Sequence, residues 1–232
     1  MTENAHPIFQ AIQTRSLESV RKELTSEGVL ESKDSEARTP LLVAALAGYK
    51  EIVSEILRHH PDLETSDENG FTALMGASAF GRAEVVSQLL QAGALPDGAG
   101  PFPKETAIMK ASIHSKPECI ELLVQAGANV NGQNDAGGTA LMTAVHWDNL
   151  DCAKLLIHAG AYIDLRDAKG RTALFHAVAA SRENICIAFL EAEANPDLRD
   201  NSGTSPRMLA ENSKSAVIKG HFGIDLSPQS AQ

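Results

Sequence analysis

Apolar residues recur along the chain in pairs of amphipathic runs. The clearest pair lies in residues 134–166, which read NDAGGTALMTAVHWDNLDCAKLLIHAGAYIDLR. A glycine-rich turn precedes Thr139, an apolar run extends to Val145, and after a polar break a second run of helical period ends before Gly160. Apolar positions three and four residues apart are typical of one face of a helix. The pattern therefore predicts two helices joined by a short turn, with a loop at each end.

The same unit is repeated along nearly the whole chain. The residues that open the first helix of each unit are spaced 33, 33, 34, 33, 33 and 33 positions apart: His6, Thr39, Thr72, Thr106, Thr139, Thr172 and Ser205. A fixed period of this length indicates a repeat architecture. The register predicts units at 1–33, 34–66, 67–100, 101–133, 134–166, 167–199 and 200–219, and a tail at 220–232. The loop between the third and fourth units contains three prolines, which should interrupt regular hairpin pairing.

Local chemistry explains the helix ends. A threonine hydroxyl at the first position can accept a hydrogen bond from an N–H one turn later and cap the helix. The second helices end at a residue suited to the left-handed conformation, which in three units is a glycine: Gly93, Gly127 and Gly160. His60 and Glu193 occupy that place in two other units. A non-glycine residue there costs about 1–2 kcal/mol, so we expect these two corners to be looser or differently shaped.

These motifs resemble the ankyrin repeat family over residues 5 to 218. The resemblance is carried by GFTAL at 70–74, GGTAL at 137–141 and GRTAL at 170–174, together with AGANVN at 126–131. The histidine that usually follows the leucine is replaced by an apolar residue: Leu42, Met75, Met109, Met142 and Phe175. The resemblance implies an all-α solenoid of stacked helix–turn–helix units with projecting β-hairpin-like loops. Five internal repeats would then lie between two degenerate capping repeats, which need polar outer faces.

Charge and composition argue against several classes of function. The chain has 30 acidic and 20 basic residues, a net charge of −10, and no basic stripe, so neither nucleic acid nor an anionic membrane is an expected partner. No apolar run reaches the ~18 residues of a membrane helix. Three cysteines do not form a disulfide framework, and the N-terminus lacks the pattern of a secretory signal. We therefore expect a monomer in a reducing cytoplasm.

The chain contains no local motif for catalysis. It has no nucleophile elbow, phosphate-binding loop or zinc-protease helix, which predicts a protein that is not an enzyme and needs no cofactor. Cys119 and Cys152 hold equivalent positions on second helices, and Cys186 lies one position further along in the next unit; all three are interpreted as buried apolar residues. One alternative is a metal or small-molecule site at His114 and His146. A zinc ion there would need further ligands, for which Glu105 and Asp148 are candidates.

The resemblance also implies where a partner binds. In ankyrin-like proteins the concave face is formed by the loop tips and the exposed ends of the first helices. Carried over by position, the candidate partner-binding residues are Phe71, Phe80, Phe102, Glu105, Ile113, His114, His146, Trp147, Lys169 and Arg171. Their apolar members form a central patch, and large apolar patches usually mark binding sites. The alternative is that Phe80 and Trp147 fold back over the corners between helices.

The sequence therefore predicts a non-catalytic scaffold that binds another protein or a peptide on its concave face. Two alternatives remain within the same class: a secreted bacterial or protist effector, or a regulatory subunit, that sequesters a target protein. A structural role, in which the patch binds a second copy of the chain, is a further alternative. The partner itself is not identified by the sequence.

Overall fold

Seven pairs of short helices form the part of the chain that the structure describes. The computed structural model describes residues 6–98 and 104–224, and within them there are fourteen helices and no strand. The pairs are α1 (Pro7–Gln13) and α2 (Leu17–Glu23), α3 (Pro40–Ala47) and α4 (Lys50–Leu57), α5 (Ala73–Ala79) and α6 (Ala83–Gln91), α7 (Ala107–Ile113) and α8 (Pro117–Gln125), α9 (Ala140–His146) and α10 (Leu150–His158), α11 (Ala173–Ala179) and α12 (Glu183–Glu191), and α13 (Pro206–Glu211) and α14 (Ala216–His221). This arrangement confirms the predicted helix–turn–helix units.

The first helices begin as the sequence predicts, with one exception. The side chains of Thr39, Thr72, Thr139, Thr172 and Ser205 each accept a hydrogen bond from the backbone N–H three residues later. In the first unit the ring of His6 accepts from the N–H of Ile8. Thr106 makes no such bond, and its buried hydroxyl has no hydrogen-bond partner among the described residues. The helix that follows Thr106 is therefore capped less well than its neighbours.

The corners after the second helices share one backbone conformation whether or not they contain glycine. Gly93 has a φ of 97°, and His60 and Glu193 have φ values of 52° and 63°. The backbone hydrogen bonds around Glu193 also repeat those around Gly93. The corner at Glu193 therefore has the shape of the glycine corners, so the expectation of a different shape is wrong there. The corner at His60 does differ, because Pro61 lacks the N–H that closes the other corners and α4 ends one position earlier. In both, the left-handed residue is accommodated at its conformational cost.

A single core runs through the stack. Each internal unit contributes a fully buried alanine from the middle of its first helix; these residues, called the alanine ladder below, are Ala44, Ala77, Ala111, Ala144 and Ala177. The second helices contribute larger buried residues such as Ile56, Leu89 and Leu156. The apolar residues that replace the usual histidine are also buried, so packing takes the place of a polar network there. Phe222, beyond the predicted start of the tail, is buried as well.

Five of the loops between units are each closed by an Asp or Asn side chain. One carboxylate or amide oxygen accepts from the N–H groups two and four residues later at 2.8–3.1 Å, as seen for Asp34, Asp67, Asn134, Asp167 and Asp200. This turn, rather than a pair of strands, gives the loops their hairpin-like outline. Later loops are also tied together, because the N–H of Ala168 donates to the carbonyl of Ala136 at 3.0 Å.

Candidate partner-binding surface

Four exposed rings lie in two contacting pairs at the ends of three consecutive first helices. Phe80, His114 and Trp147 occupy equivalent positions after α5, α7 and α9, and His146 is the last residue of α9. The rings of Phe80 and His114 stack, with centroids 6.3 Å apart and planes at 20°. His146 and Trp147 meet edge to face at 5.7 Å. These four residues form a surface that we call the aromatic ridge.

The aromatic ridge faces solvent. Phe80 and Trp147 are each 55% exposed, so neither folds back over the corner between its helices. The equivalent positions before and after the ridge are the small residues Ala47 and Ala180, which limits the ridge to the third, fourth and fifth units. Partial desolvation and the positive charges of Lys116 and Lys110 lower the pKa of His114. The stacked imidazole is therefore held in its neutral form near neutral pH.

Phe71 and Glu105 are engaged with a residue that the sequence reasoning missed. Lys110, on α7, is only 9% exposed. Its ammonium group pairs with the Glu105 carboxylate and lies 4.2 Å from the centre of the Phe71 ring. A buried lysine needs such partners, because an unpaired charge away from water is costly. Phe71 is accordingly half-buried rather than free, and Lys110 could have been suspected as a lone charge within the apolar α7.

An open groove of about 280 Å³ lies beside the ridge, between the fourth, fifth and sixth units. Four predicted site residues line it: Glu105, Ile113, His146 and Trp147. Ala136 and Gly138 also line it, and the larger side chains that complete the lining are Met142, Thr143, Asp167 and His176. These four side chains were not predicted, because the resemblance points only to loop tips and helix ends. His176 lies three residues before Ala179, and this helical spacing could have placed it on the same face.

Asp167 and His176 form a hydrogen-bonded pair in this groove. The Nε2 atom of His176 lies 2.9 Å from Oδ2 of Asp167, whose other oxygen closes the loop. Burial alone would raise the pKa of Asp167, but hydrogen bonds from the Arg171 N–H, His176 and the Lys169 N–H outweigh it and lower the pKa. The groove therefore contains an ionised carboxylate at neutral pH.

The two basic residues predicted at this end of the face differ in availability. Lys169 is exposed. Arg171 is only partly exposed, because its guanidinium pairs with Asp200 at 3.2 Å and lies over the Phe175 ring at 5.0 Å. Hydrogen bonds from Ser202, Thr204 and Arg171 outweigh burial and hold the pKa of Asp200 at about 2. The charge of Arg171 is thus paired within the protein, whereas Lys169 is exposed and has no ion pair with the described residues.

The remaining sequence candidates are placed as follows. Phe102 lies outside the described residues. His114 stacks on Phe80, and within residues 6–98 and 104–224 no group of three or more His, Cys, Asp or Glu side chains is arranged to hold a metal ion. Cys119, Cys152 and Cys186 are buried free thiols, as predicted. Burial raises the pKa of Cys119 to about 11 and that of Cys186 to about 12, so both stay protonated.

Comparison with known proteins agrees with this geometry. A family model of three consecutive ankyrin repeats matches residues 8–99 and 95–167, and a single ankyrin repeat model matches residues 169–201. The chain therefore belongs to the ankyrin repeat family. No helix in the described part of the chain combines the length and apolarity that crossing a membrane requires.

Solved structures share the fold across almost the whole chain. The ankyrin repeat domain of Bcl-3, described as a unique member of the IkappaB protein family, superposes with a TM-score of 0.85 at 20% identity, covering 95% of this chain and 99% of that one. The human ASB11 ankyrin repeat domain gives 0.81 at 23% identity, covering 96% and 99%. No curated protein sequence gives a significant match. At these identities the likeness establishes the fold alone.

Proposed function

We propose that the protein is a non-catalytic scaffold that binds another protein or a peptide along its concave face, with the aromatic ridge as the anchor. The observation that carries this proposal is the pair of half-exposed rings, Phe80 and Trp147, on a surface where the repeat core requires no large residue. The matched family is consistent with it, since ankyrin repeats commonly mediate contacts between proteins. The buried free thiols fit a reducing compartment, and we place the protein in the cytoplasm.

The energy available from the ridge is sufficient for an anchor. A fully buried aromatic side chain removes about 150–250 Å² from water. Covering the exposed halves of Phe80 and Trp147 would therefore remove about 100 Å² each, which corresponds to about 2–3 kcal/mol apiece. The ridge residues follow helices whose backbone is already ordered, so little conformational entropy is lost on binding.

Replacing Trp147 by alanine tests this proposal. Peptides would be selected from a random display library on the immobilised wild-type protein, and their affinities measured by titration calorimetry. We expect Trp147→Ala to weaken binding by about 30-fold, which corresponds to roughly 2 kcal/mol, because an interface anchor is lost. Circular dichroism should show an unchanged fold, since the side chain is not part of the core.

Tyr162→Ala provides the matched control. Tyr162 is 68% exposed and lies on a loop after a second helix rather than beside the groove. This variant should bind the selected peptides as the wild-type protein does. If Trp147→Ala bound every selected peptide as tightly as Tyr162→Ala does, the assignment of the concave face would be wrong.

A further inference from the structure

Two carboxylates line the groove beside the aromatic ridge. Glu105 and Asp167 reach it from the loops before α7 and α11, one on each side of α9. No lysine or arginine lines it. Lys110, the partner of Glu105, is almost fully buried and does not line the groove. The described lining therefore has two carboxylates and no lysine or arginine, while behind it Glu105 pairs with Lys110, and within it Asp167 pairs with His176.

The wall and floor of the groove are suited to the carbon atoms of a side chain. Ile113 and Trp147 give the groove an apolar wall. Met142 and Thr143 line the groove from α9. A volume of about 280 Å³ is at the lower limit of pockets that hold free small molecules, which span about 300–1,000 Å³. It does accommodate a single side chain that projects from a peptide bound along the ridge. An exposed indole face also attracts cations within about 6 Å of its centre.

We propose that this groove is a specificity pocket for an arginine side chain of the partner, with the guanidinium group between the Glu105 and Asp167 carboxylates and against the Trp147 indole. Charge complementarity selects the occupant, since both the lining and the whole chain, at −10, repel an acidic segment. The planar guanidinium donates to two carboxylates and stacks on an aromatic face, which an ammonium group does less well. This inference rests on the proposed function.

Replacing arginine by citrulline in the selected peptides tests the pocket directly. Citrulline keeps the shape of the side chain and removes its charge. We expect the selected peptides to share one arginine, and its replacement by citrulline to weaken binding at least tenfold, because the charge-assisted hydrogen bonds and the cation–π contact are both lost. Peptides without a shared cation, or citrulline peptides that bind equally well, would overturn the pocket.

Protein variants locate the effect. Asp167→Asn removes the charge but keeps the oxygen that closes the loop, as Asn134 does in the preceding unit. It should weaken the arginine peptide about fivefold or more and leave the citrulline peptide unchanged. The matched control is Asp34→Asn, at the equivalent loop position of the second unit, which should change neither affinity.

The outcomes separate this inference from the proposed function. One outcome is that Trp147→Ala weakens the binding of all peptides, whereas neither the citrulline replacement nor Asp167→Asn has an effect. The scaffold proposal then stands and the arginine pocket is wrong. If Trp147→Ala has no effect, the proposed function itself fails. Thermal unfolding of each variant shows that it is folded before its affinity is compared.

Discussion

At the scale of single residues, the same fold is produced by unequal local chemistry. Thr139 and Thr106 open equivalent helices, but only Thr139 caps its helix through the side chain. Asp34 and Asn134 close equivalent loops with equivalent hydrogen bonds, so the oxygen rather than the charge shapes the turn. The cap positions could be predicted from the sequence, whereas the loop-closing Asp and Asn were not among its predictions. The missing bond of Thr106 could not be predicted, because identical residues stand at both positions.

Replacing these two threonines by valine distinguishes a cap from a buried hydroxyl. Thr139→Val should lower the free energy of unfolding by about 1 kcal/mol, because the bond to the Met142 N–H is lost. Thr106→Val should leave it unchanged or raise it, because that hydroxyl is buried without a partner among the described residues. Urea unfolding followed by circular dichroism measures both values. Equal losses in the two variants would contradict the difference in capping.

At the scale of helices and loops, register predicts each element well and the contacts between elements poorly. The spacing of 33 residues places all seven helix pairs. It does not show that Lys110 joins Glu105 to Phe71, or that Asp167 and His176 complete a groove begun in the fourth unit. Those contacts depend on side chains at variable positions in different units. They can be predicted only when the stacking distance and the direction of each side chain are known.

Two glycines with the same backbone conformation show how strongly neighbouring loops are packed. Gly137 and Gly203 have φ values of 73° and 86°. A Cβ at Gly137 would lie 2.6 Å from the backbone nitrogen of Ala168, whereas one at Gly203 would meet nothing within 4 Å. Both alanine variants should lose about 1–2 kcal/mol from the left-handed conformation. Gly137→Ala should lose at least about 1 kcal/mol more, since backbone cannot move aside cheaply.

Urea unfolding of the two variants side by side measures this difference. The amide proton of Ala168, which is donated to the carbonyl of Ala136, should also exchange with solvent faster in Gly137→Ala. Gly203→Ala should leave that proton protected. Loss of the same free energy of unfolding in both variants would show that the loop of Gly137 is not in tight contact with the loop of Ala168.

At the scale of the whole molecule, the ridge lies in the central units and both ends of the stack are free of it. A repeat array gains its stability from contacts between neighbouring units. An exposed apolar ridge is also a potential contact for a second copy of the chain. The net charge of −10 opposes such self-association, because two copies repel each other.

We therefore expect the protein to be a monomer. Sedimentation velocity across a dilution series should give one coefficient that does not depend on concentration. Raising the salt concentration, which screens the repulsion, should not produce a dimer if the ridge is shaped for a foreign partner. A dimer that dissociates in Trp147→Ala would show instead that the ridge binds another copy of this chain.

The alanine ladder has a consequence for recognition. The distance between neighbouring helices depends on the side chains at their contact, and small residues allow the closest approach. The intervals between Phe80, His114 and Trp147 are thus set by three buried alanines: Ala77, Ala111 and Ala144. A ligand that spans the ridge must therefore match a spacing of contact residues that is determined by packing inside the protein. Selection for a new ligand could therefore act on the interior and leave every contacting side chain as it is.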